Sequence, residues 1–165
     1  VGMQHNLPNR FEWAKPVSAR KTVGEAMGDR MASRGWPGAP QGQDHATDIA
    51  PTLVGGSKKH GGADLGPTRA RQKWLQLRVD GRGVADEPPG EDQLEEYIPR
   101  LTTQMAARIQ GFPDSWRFTG GKTAVYKQIG NAFPPPVAFA VGQEIYRALS
   151  AVARLPLPNL ESVFG

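Results

Sequence analysis

Two strings in the last third of the chain bring together residue types that can hold a ligand. Tyr126-Lys127-Gln128-Ile129-Gly130-Asn131-Ala132-Phe133-Pro134-Pro135 sets a Gly-Asn pair ahead of a run of prolines. Proline is tolerated in the first turn of a helix, so the spacing predicts a tight turn that delivers backbone and a polar side chain to a helix N-terminus. Such a turn can bind an anionic or polar ligand group, and it serves equally well as a plain cap on a core helix. The other string, Arg100-Leu101-Thr102 and then Ala106-Ala107-Arg108-Ile109-Gln110-Gly111-Phe112-Pro113-Asp114, places an arginine near the end of a short segment of helical pattern. A different chemistry is suggested by residues 52–82. There Lys58, Lys59, Arg69, Arg71, Lys73, Arg78 and Arg82 stand against only Asp64 and Asp80. Residues 83–98 reverse the sign, with Asp86, Glu87, Glu91, Asp92, Glu95 and Glu96 and no Lys or Arg. Such blocks mark either a polyanion-facing surface beside a solvated linker, or ordinary exposed charge.

Four predicted helices position these residues. Thr22-Val23-Gly24-Glu25 has the form of a capping box, with Val23, Ala26, Met27 and Met31 following at helical spacing. Thr68 is a candidate cap for a helix with Ala70, Trp74 and Leu77 on its apolar side. A third helix starts near Thr102 or Thr103 and stops at Gly111. The fourth follows Pro134-Pro135-Pro136 and carries Val137, Ala140, Val141, Ile145 and Ala148 on one face. Segments 34–43, 55–67 and 81–90 read as Gly/Pro-rich loops. The pattern divides the chain into an irregular part, 1–98, and a part denser in helix, 99–165.

Composition narrows the chemistry. The 165 residues carry a net charge of +4 and 20 Gly with 15 Pro, just short of the composition at which disorder is the default. There is no cysteine, so the chain holds no disulfide, no Cys-type zinc site and no thiolate nucleophile. His45 and His60 lack paired ligand spacing, and no metal site is expected. The longest apolar run, Val137-Ala138-Phe139-Ala140-Val141, is far too short for a membrane span, and Val1 to Arg10 lack a secretory core. A soluble, cytoplasmic chain is expected.

The two C-terminal strings resemble, in order and spacing, the last two motifs of the DNA cytosine-5 methyltransferases. The likeness is close over about residues 100–149. Upstream it is looser: Phe11-Glu12-Trp13, Pro16 and Thr22-Val23-Gly24-Glu25-Ala26 look like the entry to that family's target-recognition domain, and Thr52-Leu53 like its Thr-Leu pair. The resemblance implies a fold of α+β type. Residues 1–98 would form a small, irregular, DNA-binding target-recognition domain of short strands and loops. Residues 99–165 would return to complete the doubly wound α/β methyltransferase domain.

In that family a cysteine thiolate adds to carbon 6 of a flipped cytosine, a glutamate assists at the ring nitrogen, and carbon 5 takes a methyl group from S-adenosylmethionine. The Pro-Cys and Glu-Asn-Val strings that carry those groups do not occur here. No catalytic residue is therefore assigned to this chain. The resemblance implies a subunit or fragment of a bacterial enzyme of the restriction-modification kind, inactive alone, that acts on double-stranded DNA with an N-terminal catalytic partner. It implies that Asn131 and Ala132 line an S-adenosylmethionine pocket shared with that partner, and that Arg108 braces the recognition domain. For DNA the candidates are Ser57, Lys58 and Lys59 in a glycine-flanked loop, with Arg69, Arg71 and Arg82 for base or phosphate contact. The family's acidic residue three positions after Thr102 is Met105 here, so loss of the capping box is expected there. The alternative reading is a non-catalytic, sequence-specific DNA-binding module derived from such an enzyme.

Overall fold

A computed structural model describes residues 11–15, 20–55 and 63–153, with side chains as far as residue 150. The chain forms two compact units: Ala19–Ala132, and Val1–Ser18 together with Phe133–Gly165. The larger unit holds five helices among its described residues: α1 (Val23–Ala32), α2 (Ala39–His45), α3 (Thr68–Gln76), α4 (Thr103–Ile109) and α5 (Lys122–Asn131). The smaller unit holds α6 (Pro135–Ala153), which starts within the proline run as expected.

Helix α1 begins on the predicted capping box. The Glu25 amide donates to Thr22 Oγ1 at 3.1 Å, and the Thr22 amide donates to the Glu25 carboxylate at 2.7 Å. Its first amides also donate outward, Val23 to the Asp48 carbonyl and Gly24 to the Ala46 carbonyl, which ties α1 to the end of α2. The approach is close enough that only glycine fits: a Cβ at Gly24 would lie 2.4 Å from the Gln43 carbonyl oxygen. The core of this unit is Val23, Leu65, Trp74, Leu101, Met105, Tyr126 and Ile129, all nearly inaccessible.

The structure corrects several expectations. No strand forms among the described residues of 1–98. The short strands are replaced by isolated bridges (Arg34 and Gly35 to Gly90, Ala85 to Thr102) between helices and loops. Part of the predicted 34–43 loop is α2, which starts after Gly38 with proline in its first turn, a helix-start signal as much as a loop signal. Thr68 is the first helical residue of α3 rather than its cap; Pro67 takes the cap position and no side chain caps there. At α4 the box survives without an acid: Met105 N–H donates to Thr102 Oγ1 at 3.2 Å, and the Thr102 amide donates to the Met105 thioether sulfur at 3.4 Å. A polarizable thioether, fully buried, takes the place of the carboxylate. The helix then closes as predicted. Gly111, at φ +89°, sends its amide to the Arg108 carbonyl, and Phe112 sends its own to the Ala107 carbonyl.

Candidate functional site

Gly130 and Asn131 are the last two residues of α5, not a free turn ahead of the next helix. Helix α5 follows Gly120-Gly121 with no capping side chain, which is why the sequence carried no signal for its start. It is anchored by Tyr126 and Ile129, both fully buried. The Tyr126 hydroxyl has no hydrogen-bond partner among the described residues, and burial, with Asp64 nearby, pushes its pKa up. Gln128 Nε2 donates to the Thr119 carbonyl at 2.9 Å, a structural role.

The end of α5 lies directly on the segment that contains the Thr-Leu pair. A Cβ at Gly130 would meet the Val54 carbonyl carbon and the Gly55 nitrogen at 2.6 Å, and a Cβ at Gly55 would meet the Asn131 carboxamide at 2.5–2.6 Å. Gly130 therefore lies directly on the Val54–Gly55 backbone, where no side chain fits, and Gly55 leaves the space that the Asn131 carboxamide fills. Leu53 and Gly55 are buried, whereas Asn131 is exposed and Ala132 half-buried. The Ala132 carbonyl accepts a hydrogen bond from Gln110 Nε2 at 2.9 Å, which ties the residue after α5 to the end of α4. The two C-terminal strings and the Thr-Leu segment, remote in the chain, thus meet at one place.

Arg108 is built as a brace. Its guanidinium donates to Asp29 at 2.6 Å and to the Ala26 carbonyl at 3.3 Å on α1, and to Asp114 Oδ1 at 3.0 Å and Oδ2 beyond α4. Arg30 joins from α1 with a 3.0 Å pair to Asp114. Hydrogen bonds from Arg108 hold the Asp114 carboxyl at about 2, against burial that opposes ionisation. The same contacts raise the Arg108 pKa.

Of the candidate DNA-binding residues, Ser57, Lys58 and Lys59 lie outside the described residues. Arg69 is exposed on α3. Arg71 is half-buried, and its Nη2 donates to Thr68 Oγ1 at 3.4 Å. Arg82 is exposed and held by Asp80. Arg71 and Arg82 share a groove of about 480 Å³ with Thr68, Gln72, Leu75 and Ile98; Arg69 does not line it. Sequence reasoning passed over Asp80, although Asp-Gly-Arg is a usable signal: a short acceptor two residues before a long donor, across a glycine. Among the described residues, no group of His, Asp and Glu is placed to hold a metal, and no helix is long and apolar enough to cross a membrane.

The family model for the C-5 cytosine-specific DNA methylase matches residues 15–147. Type II methyltransferase M.NaeI of Lentzea aerocolonigenes is 54% identical over 151 residues, which cover 91% of this chain and 37% of that protein. Type II methyltransferase M.NgoMIV of Neisseria gonorrhoeae is 43% identical over 155 residues, covering 90% of this chain and 47% of that protein. DNA (cytosine-5)-methyltransferase 1A of Oryza sativa is 49% identical over 51 residues, or 31% of this chain and 3% of that one. The chain thus spans less than half the length of these curated relatives.

Proposed function

Because the chain belongs to the C-5 cytosine-specific DNA methylase family, we propose that it forms the DNA-recognising and cofactor-closing part of a DNA (cytosine-5) methyltransferase. In this reading residues 1–98 face duplex DNA and residues 99–165 return to the catalytic domain. A partner chain supplies the catalytic Cys and Glu, and the target is a cytosine flipped from the duplex. The observation that supports it best is the seating of Gly130-Asn131 on Val54-Gly55, which joins the cofactor-side string to the stretch of chain just before Lys58 and Lys59.

The residues fit S-adenosylmethionine. Asn131 is exposed and its carboxamide offers a donor and an acceptor, while Ala132 is small, with its carbonyl already held by Gln110. The cofactor, when bound, supplies the methyl group. This chain's own share is to hold the end of α5 in place, keep Asn131 presented, and carry basic side chains to phosphates.

The test is methyl transfer from labelled S-adenosylmethionine to unmethylated duplex DNA. It compares this chain alone with a mixture of this chain and the part of the Lentzea relative that it does not cover. Transfer in the mixture alone is expected, and Asn131→Ala there should weaken cofactor binding more than DNA binding. Silence in the mixture, with salt-sensitive DNA binding retained by this chain, would support the non-catalytic module instead.

A further inference from the structure

Asp80 follows α3 on a turn whose amide donates to the Pro99 carbonyl at 2.9 Å. Its carboxylate is mostly covered, at 14% exposure, yet it serves two arginines. Oδ1 accepts the Arg82 backbone N–H at 3.0 Å and Arg82 Nε at 2.9 Å; Oδ2 accepts Arg82 Nη2 at 3.3 Å and Arg100 Nε at 3.1 Å. Arg82 itself is 74% exposed at the edge of the groove that Arg71 and Gln72 line. An exposed arginine normally samples many rotamers, and fixing one costs entropy. Here a mostly covered carboxylate grips one edge of the fork, through Nε and Nη2, and fixes its plane. The outer N–H groups, on Nη1 and the second on Nη2, have no partner among the described residues. A phosphate needs only a nearby cation. A planar, fixed, end-on pair of donors matches the two acceptors on the major-groove edge of guanine.

We propose that Arg82 reads a guanine through its two terminal nitrogens and that Asp80 is the positioning residue that fixes it for this contact. The inference rests on the reading above that this chain meets DNA, and adds the base and the residue that orients the reader. Burial disfavours the charged form of Asp80, but the hydrogen bonds from Arg82 and Arg100 outweigh it and hold the carboxyl at about 2, so the grip is ionised throughout the working pH range. Arg71 packs against Gly81, where a Cβ would lie 3.1 Å from its side chain, so the turn carrying Arg82 is seated on α3.

The experiment is a binding selection. The full chain captures duplexes from a pool with ten randomised base pairs between constant arms, and the captured DNA is sequenced. The wild type should enrich a guanine at one fixed pair. Arg82→Lys keeps the charge but not the fork, and should cut the preference at that pair about tenfold, with the other positions and the salt slope unchanged. Asp80→Asn should do the same while Arg82 remains. An Arg82→Lys pool identical to the wild-type pool overturns the proposal, as does an equal loss at every position. A wild type that binds duplex without enriching any sequence removes the guanine reader and leaves the DNA reading standing. A wild type that binds no duplex removes both.

Discussion

At the scale of single residues, Arg108 shows how much one guanidinium can organise. It joins α1 to the segment after α4 through two carboxylates and a carbonyl. Both aspartates are about half exposed or more, so Arg108→Ala should cost about 1–2 kcal/mol, less than a fully buried charge pair. The pH dependence has a definite sign. Asp114 is held at about 2, below its ordinary value, chiefly by hydrogen bonds from Arg108. The pairing therefore contributes in full above the unfolded carboxyl pKa of about 4, and is lost as the pH falls through about 2. Urea midpoints of wild type and Arg108→Ala should differ most near neutrality and converge toward pH 2. A constant gap would rule out the Asp114 pairing as its source. The family resemblance singled out Arg108 for structural support, but its partner Asp29 was not legible, because that residue lies far away in the chain and nothing local marks it.

At the scale of elements, the two helix ends that follow the same closing pattern differ in one residue. Both α3 and α4 finish with a 6→1 and a 5→2 amide–carbonyl pair; α4 has Gly111 at the left-handed position, whereas α3 has Arg78 there at φ +59°. A side chain at that angle costs about 1 kcal/mol, and the single 3.4 Å bond from Arg78 Nη2 to the Glu96 carbonyl offsets little of it. Arg78→Gly should therefore raise thermal stability, by about 0.5–1 kcal/mol in a urea titration. Thr102→Ala should lower it by about 1 kcal/mol, since it removes the acceptor for the Met105 amide. Where helices announced themselves by caps and stops, as α1, α4 and α6 did, the sequence was sufficient. It failed for α5, whose start lies behind two glycines, and for α2, where Gly and Pro read as a loop although proline suits a first turn. The Met105 position misled for another reason: an acceptor was expected to be acidic, and a sulfur atom fills the role.

At the scale of the whole molecule, the basic stretch before residue 83 is followed at once by an acidic one, so binding to a polyanion should depend on particular lysines and not on net charge. Replacing Lys58 and Lys59 with glutamine should flatten the fall of duplex affinity with salt by close to two units of slope. An unchanged slope in a salt series would take that loop out of the footprint. The family was legible because two short strings kept their order and spacing. Their meeting with Thr52-Leu53 was not, since only the folded chain brings Gly55 against Gly130. That meeting has a kinetic consequence. The α1–α2 contact joins neighbours in the chain and can form early, whereas the Gly55–Gly130 contact closes a long loop at a larger entropic cost, so we expect it to form after the folding barrier. Gly130→Ala, which wedges a methyl group between the two backbones at a cost of about 1–3 kcal/mol, should therefore appear almost wholly as faster unfolding. In a chevron plot the unfolding arm should rise while the refolding arm stays where it is.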